Sequence, residues 1–354
     1  MFFGKLFNNW VIWIMMIIEY QILQRMIDRY MLYTIDRVQY ANQNNQYYFY
    51  EFMEVSNIHS LIGENGKLPC QNEFWNTLTG LINDVEKNKL EFIKGNINAI
   101  KIFIFYQSNI DIYIKIEINP FTNIVNGHIW NFDNLQNWFR QLNNIDGNGN
   151  SKELGAARDT DFDSYVNGIL KNLYNNSLFH DDNGLHLTKS LLNGDTTKGF
   201  DLDLFQYIPS TNEYIIYEFL RRENQYINNI QAHPMRYCWT GKWNDNKQKF
   251  ISLWNIKQYL NARLILVNYS DNPSEKISLI EVLNLDINNG ITSENKYCIS
   301  RNVFSGWLHD MQNYSSNNPD YLSEFKYLHY NQEFFENFGE DKKKYGAEFT
   351  NIYI

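Results

Sequence analysis

The chain has 354 residues, of which 44% are hydrophobic and 16% aromatic, so it can bury a sizeable core and is not globally disordered. Its formal net charge of −9 excludes a wholly basic nucleic-acid coat but leaves room for a local basic patch. The cysteines (Cys70, Cys238 and Cys298) are widely spaced and form no CxxC pair, so neither a disulfide framework nor a thiolate zinc site is indicated. We therefore expect reduced thiols and a cytoplasmic protein.

The first 45 residues combine an apolar run with an amphipathic pattern. Residues 10–18 read WVIWIMMII, about half of what a membrane span needs, and no small-residue cleavage site follows. Apolar residues then recur at helical spacing up to about Asp36. We predict no membrane span but one amphipathic helix over residues 10–36. It would pack against the protein or form a homodimer, with a membrane-surface helix as the alternative.

Residues 46–145 show a mixed pattern that predicts a small accessory α+β domain without a chemical motif. Helical spacing predicts helices over 71–85 and 134–142. Between them, residues 100–106 and 111–118 alternate strongly around the turn residues Ser108 and Asn109, which predicts a β-hairpin. The polar, glycine-rich stretch 145–151 predicts a linker to the next domain.

Residues 150–312 predict an α/β domain, followed by a helical tail over residues 313–354. The predicted helices are 161–174 and 249–260, and the predicted strands are 199–208, 214–220, 263–269 and 277–283. Apolar runs in these strands suggest a sheet covered on at least one face. We expect a mixed sheet flanked by helices, in which strand 263–269 pairs in parallel with strand 214–220 through a helical crossover.

Three acids in this domain suggest a metal site. Asp201 and Asp203 lie two residues apart in a predicted strand and so share one face, and Glu218 lies near the end of the next strand. A tight hairpin would place Asp203 beside Glu218. Adjacent carboxylates raise each other's pKa unless a cation lies between them. Mg²⁺ or Mn²⁺ suits this arrangement, because Mg²⁺ takes oxygen ligands and needs only one or two carboxylates.

The surroundings of these acids are basic. From Lys198 to Arg263 the chain has nine Lys or Arg and six Asp or Glu, which gives 9 − 6 = +3 in a chain of net charge −9. A basic field around carboxylates suits a phosphodiester substrate with a metal ion, whereas the structural alternative is a surface hairpin with ordinary salt bridges. Four residues are candidates for nucleic-acid contacts, with core packing as the alternative for the tryptophans: Arg221, Trp239, Lys242 and Trp243.

The segment DLDLF, a turn and then IIYEFLRR resembles the core of the PD-(D/E)xK nuclease superfamily. The resemblance implies a restriction-endonuclease-like fold and a Mg²⁺-dependent endonuclease of restriction or defence type, acting on double-stranded DNA. By this resemblance Asp203 is the metal-binding aspartate, Glu218 the glutamate of the ExK half, and Asp201 an accessory acid.

The sequence departs from this family at the lysine, whose place is taken by Leu220. One possibility is a migrated lysine on the following helix, with Lys249, Lys247 and Lys257 as candidates. Another is substitution by Arg222, which shares a strand face with Glu218 but stays protonated and is a poor base. We predict Lys249 first and Arg222 second. The alternative function is a catalytically inactive domain that serves as a nucleic-acid-binding or structural subunit of a larger assembly.

Overall fold

The computed structural model describes residues 32–41, 45–121, 124–144, 183–193, 197–208, 212–223, 247–270 and 277–299, with isolated positions between 195 and 239. Four predicted features therefore lie outside the described residues: most of the helix over 10–36, the linker over 145–151, the helix over 161–174 and the tail over 313–354. No helix in the described part is long and apolar enough to cross a membrane.

The described residues form a mixed α/β structure, a large mixed sheet flanked by helices. The strands are β1 (Leu32–Ala41), β2 (Gln46–Glu54), β3 (Ile100–Tyr106), β4 (Tyr113–Asn119), β5 (Ile124–Trp130), β6 (Phe200–Ile208), β7 (Glu213–Arg221), β8 (Arg263–Tyr269), β9 (Ile277–Asp286) and β10 (Gly290–Ile299). They form one sheet in the order β10-β9-β8-β7-β6-β1-β2-β3-β4-β5. The α-helices are α1 (Gln71–Leu78), α2 (Asp84–Asn96), α3 (Phe132–Asn144), α4 (Asn183–Leu192) and α5 (Lys247–Leu260).

The predicted hairpin and crossover around the acidic residues are confirmed. β6 and β7 pair in antiparallel fashion, and β8 returns through α5 to pair in parallel with β7. The predicted hairpin of 100–106 with 111–118 is also present, as β3 and β4. These segments were predictable because they either alternate with the strand period or form short apolar runs typical of buried strands.

Two predictions in the first half of the chain are wrong. Residues 32–36 belong to β1 instead of a helix, because this segment pairs with β6 in the sheet. The helix predicted over 71–85 ends at Leu78 as α1, because Asn83 starts a new helix, α2, with a capping box to Glu86. Beyond Val85, α2 was not predicted. Strands β2, β5 and β10 and helix α4 were not predicted.

Helices cover both faces of the first half of the sheet. On one face Tyr50 and Ile102 pack with Phe139 of α3 and Leu191 of α4. Since successive side chains of a strand point to opposite faces, Phe103 lies on the other face, where its ring is 6.2 Å from that of Trp75 in α1. Phe92 of α2 lies against Phe205 of β6, with 6.1 Å between the ring centroids.

The sheet consists of two halves with the same topology. In β1–β5 and again in β6–β10, an antiparallel hairpin is followed by a helical crossover to a parallel strand and then by two antiparallel strands. The halves meet where β1 pairs with β6 in antiparallel fashion. All strands in the described ranges thus lie in one sheet, and the division into an accessory and a nuclease-like domain stays a prediction.

The register between β1 and β6 obeys a pseudo-two-fold axis. Residues of β6 and β7 correspond to those of β1 and β2 at an offset of 203 − 36 = 167 positions. Ile35 pairs with Leu202, its own counterpart at this offset. On either side, Tyr33 pairs with Phe205 and Val38 pairs with Phe200. At the same offset Phe200 is the counterpart of Tyr33 and Phe205 is the counterpart of Val38, so a two-fold rotation converts one pair into the other. The axis therefore passes between Ile35 and Leu202.

Candidate functional site

Strands β6 and β7 separate at the predicted acidic pair. Their pairing runs from Ile208↔Glu213 to Leu204↔Tyr217 and ends one residue before Asp203 and Glu218. At this point the Phe219 amide donates to Asp203 Oδ2 at 2.7 Å. The aspartate side chain thus replaces a strand-to-strand hydrogen bond, which fixes its carboxylate beside Glu218.

Glu218 is a buried carboxylate with one unsatisfied oxygen. Its residue is only 2% exposed. Lys249 Nζ lies 2.5 Å from Glu218 Oε1, whereas Oε2 is buried without a hydrogen-bond partner. Burial and the neighbouring Asp203 raise the pKa of Glu218 to about 8, although Lys249 acts in the opposite direction. Asp201 raises the pKa further, so the three predicted acids are brought together.

Helix α5 positions the lysine at this pair. The apolar side of the helix, including Phe250 and Leu253, is buried, so its first turn is held at the sheet and Lys249 reaches Glu218. Of the alternative lysines, Lys257 Nζ lies 4.5 Å from the ring of Trp254. The first helical residue, Lys247, has its Nζ 5.8 Å from the ring of Trp239.

The remaining predicted residues are more dispersed. Arg222 Nε donates to Asn268 Oδ1 of β8 at 3.3 Å, and the neighbouring Arg221 is exposed. The Trp239 indole donates to the Ile287 carbonyl at 3.2 Å, which gives this tryptophan a contact within the protein. Lys242 and Trp243 lie outside the described residues, and roles in nucleic-acid binding stay predictions for all four candidates.

Sequence reasoning missed a second cluster of the same composition in the first half of the chain. The Phe52 amide donates to Asp36 Oδ2 at 2.8 Å, as Phe219 does to Asp203. Lys89 Nζ of α2 lies 2.5 Å from Glu51 Oε2 and 3.4 Å from Asp36 Oδ1. Asp36, Glu51 and Lys89 are called the first cluster below, and Asp203, Glu218 and Lys249 the second cluster.

An internal repeat in the sequence is the signal that could have found the first cluster. Residues 36–52 and 203–219 share the pattern Asp-x₂-Gln-Tyr-x₄-Asn-x-Tyr-x₂-Tyr-Glu-Phe at the offset of 167 positions. The turn is repeated as well, since Asn45 (φ 59°) and Asn212 (φ 52°) both adopt the left-handed conformation. The side chain of each accepts a hydrogen bond from a tyrosine hydroxyl, Tyr40 or Tyr207 respectively.

The second cluster contains oxygen donors of the kind that bind a hard divalent cation. Carboxylate oxygens are the preferred protein ligands of Mg²⁺, and Glu218 Oε2 is a buried acceptor whose hydrogen-bonding capacity is unused. No group of three or more His, Cys, Asp or Glu within the described ranges is arranged to hold a metal ion. A site built on Asp203 and Glu218 would therefore rely on water for its other ligands, as Mg²⁺ sites commonly do.

Comparisons of the chain with protein-family models, with curated proteins and with solved structures give no match.

Proposed function

We propose that the chain is a divalent-metal-dependent nuclease with its active centre at the second cluster. The observation that carries the proposal is the buried Glu218 carboxylate, which has Lys249 at one oxygen and no hydrogen-bond partner at the other. Asp203, fixed beside it by the Phe219 amide, completes the Asp–Glu–Lys set. The order hairpin, helical crossover and parallel strand further supports a restriction-endonuclease-like core around this set.

Each residue of the second cluster has a definite task in this proposal. Asp203 and Glu218 would hold Mg²⁺ or Mn²⁺, which supplies positive charge beside the scissile phosphate. The Lys249 ammonium would donate hydrogen bonds to the attacking water and stabilise the negative charge that develops on its oxygen. Lys249 of α5 would thus take the role of the strand lysine, whose position in β7 is occupied by Leu220. The Phe219 amide keeps the Asp203 carboxylate in one orientation.

Double-stranded DNA is the substrate class we propose. The segment from Lys198 to Arg263 carries a local excess of positive charge within an acidic chain, and such a field attracts a phosphate backbone. Arg221 is exposed at the end of β7, three residues beyond Glu218, so a phosphate contact by this arginine is compatible with a backbone lying across the second cluster.

Cleavage of a labelled duplex DNA with Mg²⁺ or Mn²⁺ tests the proposal. We expect the parent protein to cut, and Asp203→Asn and Glu218→Gln each to lose at least 100-fold in rate, since each removes a carboxylate that would hold the metal. The matched control is Glu281→Gln, which removes the partner of Arg263 (2.7 Å) elsewhere in the sheet. This control variant should retain cleavage if it stays folded.

Two outcomes would overturn the nuclease proposal. Equal rates for the parent, Asp203→Asn and Glu218→Gln would place the chemistry elsewhere. No cleavage by the folded parent with either metal would favour the alternative, a catalytically inactive nucleic-acid-binding or structural subunit. The observation that favours this alternative is Leu220 at the position of the strand lysine.

A further inference from the structure

The first cluster is fully satisfied by the protein itself. Asp36 Oδ1 lies 3.4 Å from Lys89 Nζ, and Oδ2 accepts from the Phe52 amide at 2.8 Å. Glu51 Oε1 accepts from the Asp36 amide at 3.3 Å, and Oε2 lies 2.5 Å from Lys89 Nζ. All four carboxylate oxygens thus have a partner from the chain, and the lysine occupies the position between the two acids where a cation would neutralise them.

The second cluster differs in one buried atom. Glu218 Oε2 has no hydrogen-bond partner although the residue is only 2% exposed. Its counterpart in the first cluster is engaged, because Glu51 uses both oxygens. The lysine side chains differ too, with 26% of Lys249 exposed against 10% of Lys89. The second cluster therefore keeps an acceptor available for a ligand, and the first does not.

The two lysines also lie at different positions on their helices. Helices α2 and α5 lead into β3 and β8 through matching Asn-Ala pairs, Asn98-Ala99 and Asn261-Ala262, at an offset of 261 − 98 = 163. At this offset Lys249 corresponds to position 86, so Lys89 lies three residues, or about one helical turn, further along. From there Lys89 reaches both acids of the first cluster.

Helix α4 also closes the first cluster. A Cβ added to Gly184 would lie 2.7 Å from the carboxyl carbon of Asp36, so the start of α4 packs directly on this side chain. The first cluster is thereby a buried ion network that links β1, β2 and α2 and has no space for a phosphate at Asp36.

We infer that the chain is a fused pseudo-dimer with a single competent centre, which cuts one strand of a DNA duplex per binding event. This inference rests on the proposed nuclease function. In the reaction one water is consumed: its oxygen forms a bond to phosphorus, the bond from phosphorus to one sugar oxygen breaks, and that oxygen takes a proton. The products are a phosphate monoester and a hydroxyl at a nick. Cutting the other strand requires a second encounter in the opposite orientation.

The topology of a supercoiled plasmid after limited cleavage distinguishes one centre from two. With Mg²⁺ or Mn²⁺ the parent should convert supercoiled DNA to nicked circles, and linear DNA should appear only after the nicked form has accumulated. Asp36→Asn should give the same products at a rate within about twofold, because the amide oxygen still accepts from Phe52. Asp203→Asn, its matched counterpart across the axis, should give none.

Mn²⁺ binding, counted by electron paramagnetic resonance, provides a readout that does not depend on activity. Bound Mn²⁺ should be lost in Glu218→Gln and unchanged in Asp36→Asn. If Asp36→Asn does not fold, the triple variant Asp36→Asn/Glu51→Gln/Lys89→Met replaces it, since apolar or neutral replacement of a whole buried ion network is often tolerated. Circular dichroism establishes that each variant is folded.

The possible failures are separable. Linear DNA formed from the start, or Mn²⁺ lost when the first cluster is neutralised in a folded protein, would overturn the single-centre inference and leave the nuclease proposal intact. A parent protein that binds Mn²⁺ at Glu218 but cuts no DNA would refute the nuclease proposal and the nicking activity together.

Discussion

Replacing Glu218 by glutamine should change the pH dependence of stability. Burial and Asp203 raise the pKa of Glu218 to about 8 in the folded chain, against about 4.3 for an unfolded glutamate. The folded state therefore binds this proton more tightly than the unfolded state. The contribution of this bound proton to the free energy of unfolding is fully present below about pH 4, decreases as the pH rises and is lost above about pH 8.

The size of this effect follows from the shift. One pKa unit corresponds to about 1.4 kcal/mol. Above pH 8 the ionised Glu218 carboxylate therefore lowers the free energy of unfolding by at most about 5 kcal/mol. Glu218→Gln carries no ionisable group at this position. Relative to the parent, the variant should therefore gain about 2–5 kcal/mol in free energy of unfolding between pH 5 and pH 8.5.

Urea unfolding of the metal-free proteins at pH 5 and pH 8.5 measures this difference. Glu281→Gln is the control, because its carboxylate has the Arg263 guanidinium at 2.7 Å. Removing one partner of that pair should destabilise the protein. The prediction is wrong if the difference in free energy of unfolding between the parent and Glu218→Gln is the same at both pH values. That result would mean that the pKa of Glu218 is not raised.

Three further predictions concern the lysine, the closed first cluster and the repeated turn. Lys249→Met should abolish metal-dependent DNA cleavage, whereas Lys257→Met, whose ammonium lies over Trp254, should cut at the parent rate; equal rates would exclude the role of Lys249. Gly184→Ala should lower the free energy of unfolding by about 1–3 kcal/mol through overpacking against Asp36, and an unchanged urea midpoint would contradict this packing. Asn45→Ala and Asn212→Ala should each cost about 1 kcal/mol and the corresponding glycine variants less, because both positions have positive φ; alanine and glycine variants of equal stability would show that the turn conformation is not as described.

Strands β6 to β9 and helix α5 were predictable because their local patterns agree with their tertiary structure. The period of two in β6 and the long apolar runs in β7 and β8 are typical of buried strands. The hairpin and crossover follow from the connection rules. The prediction of Lys249 followed from the same topology, because the crossover helix is the nearest element in sequence after β7. Lys249 Nζ lies 2.5 Å from Glu218 Oε1, and the role of this lysine in catalysis stays a prediction.

The first half was harder to predict, because tertiary contacts override its local patterns. β2 reads QYYFYEFME, and its many aromatic residues do not alternate with polar ones because both faces of the strand are covered. Residues 32–36 continue a helical apolar spacing, but this segment pairs with β6 in the centre of the sheet. The first cluster could be recognised only by comparing the chain with itself, since Asp36 and Glu51 are separated by the same interval as Asp203 and Glu218.

Anomalous diffraction from crystals grown with Mn²⁺ would locate the metal in the protein. We expect a Mn²⁺ peak within coordination distance of Asp203 and Glu218 Oε2, with the Lys249 ammonium nearby, and no peak at Asp36 and Glu51. No bound Mn²⁺ at the second cluster, or a peak at the first cluster instead, would contradict this expectation.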